Sequence, residues 1–393
     1  MKKLLLASAA TFAFGGAAMA DDVKVGVLLG FTGPLESITP AMGSAAELAM
    51  AEVNASGKFA LGNVVSVRGD STCVDAPAAT AAAERLVTSD GVSAIVGGDC
   101  SGVTGAVLQN VARPNGIGMI SPSATSPALS TAEDDGLFFR TAPSDARQGE
   151  IMADILTEKG IKSVALSFTN NDYGKGLADS FAAAFAAKGG AITISAPHED
   201  GKADYAAEVA SLASAGGEML VVAGYVDQGG KGIIQASLDT GAFSTFYLVD
   251  GMYGESLISA IGDALNGSFG AVPGTDSDGA AKFQELAKAA GFDGTSAFTA
   301  ESYDAAALIM LSMAAAGSTN SKDWSGKVMD LANAPGEPIL PGDLGTALEL
   351  IAAGTDIDYV GASAVELVGA GESAGNYRQY EIKDGTISTV GYR

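Results

Sequence analysis

Val96-Gly97-Gly98-Asp99-Cys100-Ser101-Gly102-Val103-Thr104-Gly105 sets a cysteine beside a serine in a glycine-rich turn. A short apolar run precedes this turn and the helical-looking stretch Ala106–Ala112 follows it. Between a strand and a helix, such a turn offers backbone N–H groups to an anion, and either side chain could act as a nucleophile. The chemistry open to it is phosphate binding, covalent catalysis, or the holding of a small carboxylate.

The rest of the chain weighs against the first two. Gly174-Lys175 and Gly230-Lys231 are each followed by glycine and lack the preceding glycine of a G-x-x-x-x-G-K-[ST] phosphate loop. No GxGxxG follows the first strand. The single histidine, His198, lies in Pro197-His198-Glu199-Asp200-Gly201 and reads as a surface-loop residue. One histidine excludes HExxH and multi-histidine metal centres, and no G-x-S-x-G elbow accompanies it. Gly274-Thr275-Asp276-Ser277-Asp278-Gly279 with Glu285 mimics a calcium loop but has glycine where the first carboxylate belongs, so it reads as a loop entering a helix. No metal, cofactor or catalysis is expected.

Bulk properties place the chain. Residues 1–20, MKKLLLASAATFAFGGAAMA, have the basic start, apolar stretch and Ala18-Met19-Ala20 end of a secretory signal peptide. The mature chain is expected to begin near Asp21, outside the cytoplasm, without a lipid anchor. Cys73 and Cys100 then meet an oxidising compartment, which points to one disulfide contributing about 3–4 kcal/mol and removing Cys100 as a nucleophile. Against 46 acidic residues stand 22 basic ones, and setting aside Lys2 and Lys3 takes the net charge from −24 to −26. That field repels nucleic acid and anionic lipid. The apolar run Ala305–Leu311 is shorter than the roughly 18 residues of a spanning helix and reads as a buried core helix, so no membrane insertion of the mature form is expected.

The elements that must position a site follow a regular alternation. Nearly continuous apolar runs at Val23–Leu29, Val64–Gly69, Ala94–Val96 and Gly118–Ile120 predict parallel strands, with helices at Ser44–Val53, Ala78–Thr88 and Thr104–Val111. After Leu137–Asp145 the pattern restarts. Strands are predicted at Val164–Phe168, Ile192–Ser195, Leu220–Ala223 and Phe246–Val249, with helices at Gln148–Lys159, Lys175–Ala187, Tyr205–Ala215 and Gly232–Asp239. Helices Ala280–Ala290 and Thr299–Ala316 and a strand-like tail Tyr377–Ile382 complete the chain, with Pro335–Asp358 as an inserted excursion carrying the helix-like Leu344–Ala353. The class is α/β, with two doubly wound parallel-sheet lobes.

In such sheets ligands bind beyond the carboxyl ends of the strands. The opening turn lies on that rim, and so does Ser121-Pro122-Ser123-Ala124-Thr125-Ser126-Pro127. Both are short-chained and polar, which suits a small carboxylate, although serine and threonine serve equally as helix caps and turn formers.

From Val23 to the C-terminus, apart from the excursion, the chain resembles the leucine/isoleucine/valine-binding family of periplasmic solute-binding proteins. The resemblance rests on the order and spacing of Phe31-Thr32-Gly33-Pro34, Cys73 and Cys100, Ser121–Thr125, Phe139-Arg140-Thr141, Asn171–Gly176, Gly224-Tyr225 and Tyr303-Asp304-Ala305. It implies a type I periplasmic binding fold with a three-crossing hinge near Thr141-Ala142, Val272-Pro273 and Asp358-Tyr359. Lobe one would comprise 21–141 and 274–357, and lobe two 142–273 and 358–393. The Ser101 hydroxyl and the Thr125 hydroxyl and amide would hold a ligand carboxylate, with the Ser123 carbonyl and Asp250 taking its ammonium. Tyr173 and Tyr225 would close over the ligand and Phe298 would line its side-chain pocket. Cys73–Cys100 matches a disulfide of some members. The implied partners are an amino acid, branched-chain by family default, and the membrane permease subunits of an ABC importer. An amide, urea or aromatic acid as cargo, or a ligand-sensing role, stand as alternatives. Two departures bear on the ligand: Asp99 stands where an apolar side chain is common, and Ile38 replaces an aromatic near the first loop.

Overall fold

The computed structural model describes residues 22–393, so the leader read from residues 1–20 lies outside it. The first set of apolar runs forms β1 (Val23–Leu29), β2 (Val64–Asp70), β3 (Ala94–Gly97), β4 (Gly118–Ser121) and β5 (Phe138–Pro143), in parallel and in the order β2-β1-β3-β4-β5. A second sheet repeats the order with β6 (Ser163–Thr169), β7 (Ala191–His198), β8 (Met219–Ala223), β9 (Phe246–Leu248) and β10 (Phe269–Pro273). Strands β3, β4 and β5 are buried along their whole length, as helices on both faces require. The helices of the first lobe are α1 (Thr39–Ser56), α2 (Ala76–Glu84) and α3 (Ser101–Val107). Those of the second are α4 (Asp145–Glu158), α5 (Asp172–Ala187), α6 (Ala206–Ala215) and α7 (Gly229–Thr240).

After β10 the chain returns to the first lobe as α8 (Asp278–Ala290) and α9 (Thr299–Ala316). Helix α9 is buried without a break from Glu301 to Met313, packed against α1, β4 and β5, and it is the core helix expected of Ala305–Leu311. Among the described residues no helix is long and apolar enough to cross a membrane. The excursion builds the outer face of the same lobe. Its β11 (Glu337–Ile339) and β12 (Ile357–Tyr359) pair in parallel, and α10 (Leu344–Ala352) packs on α1 and α9. Buried Asp304 fastens the segment that follows, accepting from Tyr359 Oη, Ala362 N, Ser363 N and Ser363 Oγ at 2.6–2.8 Å.

Two expectations need correction. The third crossing is not at Asp358-Tyr359, because β12 pairs with β11 and the chain stays with the first lobe. There β13 (Leu367–Val368) and β14 (Glu372–Ser373) join the first sheet beside β5, and buried Arg140 clamps Glu372 at 2.5 Å. The chain enters the second sheet only at β15 (Tyr377–Lys383), antiparallel to β10 and followed by β16 (Thr386–Tyr392). There the second and third crossings touch, with Gly274 N donating to Asn376 O at 3.0 Å. The first crossing follows Pro143, where β5 ends, two residues beyond the position expected.

His198 is the second correction. It is the last residue of β7, 1% exposed, with Nδ1 2.8 Å from Ser167 Oγ. Strand β7 is a sheet edge, where Pro197 removes no needed donor, so the strand runs through what reads as a turn. Burial lowers the imidazole to about 4 and keeps it neutral at pH 7.

Helices α4 and α5 pack through Gly149, where an added Cβ would lie 2.7 Å from the backbone of Ser180 and Phe181. Backbone cannot yield there cheaply. Gly149→Ala is expected to cost about 1–3 kcal/mol and lower the thermal midpoint by several degrees. Gly326→Ala, where a Cβ meets nothing within 4 Å, should stay within about 0.5 kcal/mol of the wild type.

Candidate ligand-binding site

The carboxyl ends of the two sheets face each other across a cleft, and a small cavity lies between them. Ser101, Ser123 and Phe298 reach it from the first lobe, and Tyr173, Tyr225 and Asp250 from the second. Thr125 is set behind this wall, 1% exposed, with its hydroxyl buried and unpartnered and its carbonyl accepting from Asp145 N at 2.8 Å. Leu35, from the loop between β1 and α1, lines the cavity although nothing assigned it there. A lone apolar side chain after Gly33-Pro34 was its only signal. Ile38, three residues on, is buried but does not line it.

The turn of the first lobe is held rigidly. Gly97 has φ +133°, and a Cβ there would stand 2.2 Å from the Leu28 carbonyl oxygen, so only glycine fits. Cys100 is joined to Cys73, which follows β2, and is no nucleophile. Asp99 also lines the cavity, but both its oxygens are committed: Oδ1 accepts from Ser71 Oγ at 2.6 Å and Oδ2 from Gly30 N at 2.8 Å. Burial pushes its carboxyl above the usual range, opposed by these bonds. It ties the ends of β1, β2 and β3 together. Ser123 Oγ donates to the Asp99 carbonyl at 3.0 Å, fixing the end of β4 to the same point. Ser101, opening α3, accepts from Ser126 N at 3.0 Å, which leaves its O–H without an acceptor among the described residues.

The second lobe presents a carboxylate. Asp250 is 1% exposed, and its Oδ1 accepts from Tyr173 Oη at 2.5 Å and from Gly251 N at 2.8 Å. Its Oδ2 meets no donor among the described residues. Burial raises the carboxyl, while Tyr173 and Gly251 favour its charge. The Tyr173 ring stacks on Tyr225, with centroids 5.2 Å apart. Asn171 caps α5 through Gly174 N at 3.0 Å, and its Nδ2 donates to Tyr225 Oη at 3.3 Å, so one residue orients the helix and the ring. The cleft thus holds a free hydroxyl on one wall and a half-satisfied carboxylate on the other.

The lobes are closed upon each other. At the mouth Asp227 N donates to Pro34 O at 3.1 Å, Ser37 N donates to Asp227 Oδ2 at 2.9 Å, and Ser37 Oγ lies 3.1 Å from Ser256 Oγ. On the hinge side Arg378 Nη2 donates to Thr295 O at 2.9 Å.

Two seven-stranded sheets, a three-crossing hinge and a polar cleft between strand ends define a two-lobed solute-binding protein, not an enzyme. A family model described as periplasmic binding protein matches residues 22–325, and the chain belongs to the leucine/isoleucine/valine-binding family of periplasmic binding proteins. Among relatives, Leu/Ile/Val-binding protein homolog 3 of Brucella melitensis is 36% identical over 230 residues, which are 57% of this chain and 60% of that protein. Leu/Ile/Val-binding protein homolog 1 of Brucella suis is 32% identical over 82% of this chain and 87% of its own length. The chemotactic signal transduction system substrate-binding protein BasB of Halobacterium salinarum is 29% identical over 94% and 89%. The fold is also that of the branched-chain amino acid transporter substrate-binding protein LivJ of Streptococcus pneumoniae, solved with isoleucine, at a TM-score of 0.77, 23% identity and coverage of 94% and 99%. A solute-binding protein of R. palustris solved with 4-hydroxybenzoate has a TM-score of 0.75, 18% identity and coverage of 95% and 97%.

Asp227→Ala removes the Ser37 N bond across the mouth, and the Ser256 Oγ bond at 2.8 Å within the second lobe, without touching the cavity. Affinity for the solute is expected to fall about three- to tenfold by calorimetry, the worth of one net hydrogen bond across the mouth, and loss of the Ser256 bond is expected to lower the unfolding midpoint of the free protein slightly.

Proposed function

We propose that this protein is the extracytoplasmic substrate-binding component of an ABC importer, exported to the periplasm through its N-terminal leader. It captures an amino acid between its lobes and delivers it to membrane permease subunits. One observation carries the reading: Ser101 and Asp250, from opposite lobes, line the same cavity.

A free amino acid has opposite charges a few ångströms apart and needs a partner for each. The Ser101 O–H and the first turn of α3 take its carboxylate, while Thr125 stays behind the cavity wall. The Ser123 carbonyl and Asp250 Oδ2 take its ammonium. Charge-assisted bonds of this kind contribute about 1.5–3 kcal/mol each. Because Tyr173 and Gly251 occupy Oδ1, Oδ2 is the oxygen left for the ligand. Leu35, Phe298 and the rings of Tyr173 and Tyr225 suit an apolar side chain, and Asp99, its oxygens committed, offers no partner to a basic one. A branched-chain amino acid fits this lining and accords with the names of the relatives. A ligand that bridges the lobes binds the closed form better than the open one and shifts the population toward closure. An aromatic acid, a neutral amide or urea would leave the buried Asp250 without a counter-charge, a costly arrangement.

Asp250→Asn is expected to weaken amino-acid binding by about 2–5 kcal/mol in calorimetry, as when one partner of a buried charged pair is removed. Unchanged affinity would contradict the assignment. A thermal-shift screen of the twenty amino acids, small amides and carboxylates identifies the cargo, since ligand at about 100 times Kd adds about 2.7 kcal/mol of apparent stability.

A further inference from the structure

Thr125, Asp145 and Gln148 meet where the chain first passes between the lobes, beside Asp250. Asp145 and Gln148 stand in the first turn of α4, directly after the crossing, and all three side chains are at most 1% exposed. Among the described residues, both carboxylate oxygens of Asp145, both amide atoms of Gln148 and the Thr125 hydroxyl meet no hydrogen-bond partner. The Thr125 hydroxyl lies beside Asp145 and the Gln148 amide beside Asp250, each favouring the charged carboxylate, but neither pair reaches hydrogen-bond geometry. A buried polar group left unmet costs about 1–3 kcal/mol, so five such atoms together mark a cluster that is not satisfied while Asp145 is ionised.

The charges around this place do not balance. Asp250 faces Asp145 from the end of β9 and repels it. The Tyr173 and Tyr377 hydroxyls face the pair from α5 and β15, and Arg147 faces Tyr377 from α4. Arg140, on β5, is the cation that faces Asp145. Its guanidinium is already engaged by Glu372 at 2.5 Å, Ser130 Oγ at 2.8 Å, and the carbonyls of Ala124 and Ser126 at 2.9 and 3.0 Å. One ligand ammonium answers Asp250 and leaves Asp145 without a counter-charge.

We propose that Asp145 is a second acidic determinant of ligand binding, closing against the ammonium end of the site and entering the closed complex with a proton taken from solvent. This rests on the amino-acid reading above. The carboxylate gains one proton, its new O–H donates to Thr125 Oγ1 or Gln148 Oε1, and no other bond forms or breaks. Opening of the cleft must then admit water to the carboxyl, which ionises in the ordinary range. Closure buries it beside Asp250, and both effects push it well upward. A group whose affinity for protons rises on binding takes one up, so ligand affinity falls as pH rises through that elevated value.

The test is calorimetry of the intact mature protein with leucine, or with whichever of the twenty amino acids raises its midpoint most. Titrations at pH 7 in phosphate and in Tris, whose ionisation enthalpies differ, count the protons exchanged. Wild type is expected to take up protons on binding and to lose affinity as pH rises. Asp145→Asn, which mimics the protonated acid and needs no proton uptake, is expected to bind more tightly than wild type at pH 7, take up none and lose the pH dependence. Asp145→Ser serves as the non-titrating variant should Asp145→Asn fail to fold. No uptake by wild type, or uptake undiminished in the variant, overturns the inference alone. Absence of binding by all twenty amino acids overturns the amino-acid reading and this inference with it.

Discussion

A carboxylate buried between two lobes demands a positive partner, and the closed cleft supplies none from the chain. Asp250 is almost wholly enclosed, one oxygen is held by Tyr173 and Gly251, and the other is left to the cavity. Such burial is costly while the charge is uncompensated. On the proposed reading, closure is favoured by a guest that carries a cation. The Ser101 hydroxyl on the facing wall adds a second condition, because the same guest must also bear an acceptor. Selection and conformational change are one event in this arrangement.

Rigidity and mobility are divided accordingly. In the first lobe Asp99 gathers the ends of three strands, Ser123 ties in a fourth, and the disulfide fastens the turn that carries Ser101. The second lobe fixes Asp250 through Tyr173 and positions the rings through Asn171. Each half of the site is thus set before the halves meet. Motion is left to three crossings, two of which touch through Gly274 and Asn376, and to the few bonds of Asp227 and Ser37 at the mouth. The four-donor hold of Asp304 keeps the segment after the excursion with the first lobe, away from the hinge.

Much of the fold was legible because apolar runs bounded by turns leave a strong local signal. Strand Val23–Leu29 and helix Thr299–Ala316 have the bounds their patterns predict. The third crossing was not, since β13 and β14 are two residues long and too short to show a period. His198 misled because proline beside a polar cluster usually ends a strand, and only its edge position allows otherwise. At the cavity, Ser101 and Asp250 stand at strand ends, where chemistry and topology agree. The commitment of Asp99 depends on Gly30 and Ser71, distant in sequence, and so was open until the strands were assembled. Asp145 and Gln148 resemble the ordinary first turn of a helix. Only their missing partners distinguish them.

The most direct test of the bridging account is a crystal structure of the mature protein grown with the amino acid that stabilises it most. The account predicts one ligand molecule with its carboxylate within hydrogen-bond distance of Ser101 Oγ and its ammonium within that distance of Asp250 Oδ2, the two lobes closed around it. A ligand held by one lobe alone, or seated with Asp250 facing no positive group, would contradict it.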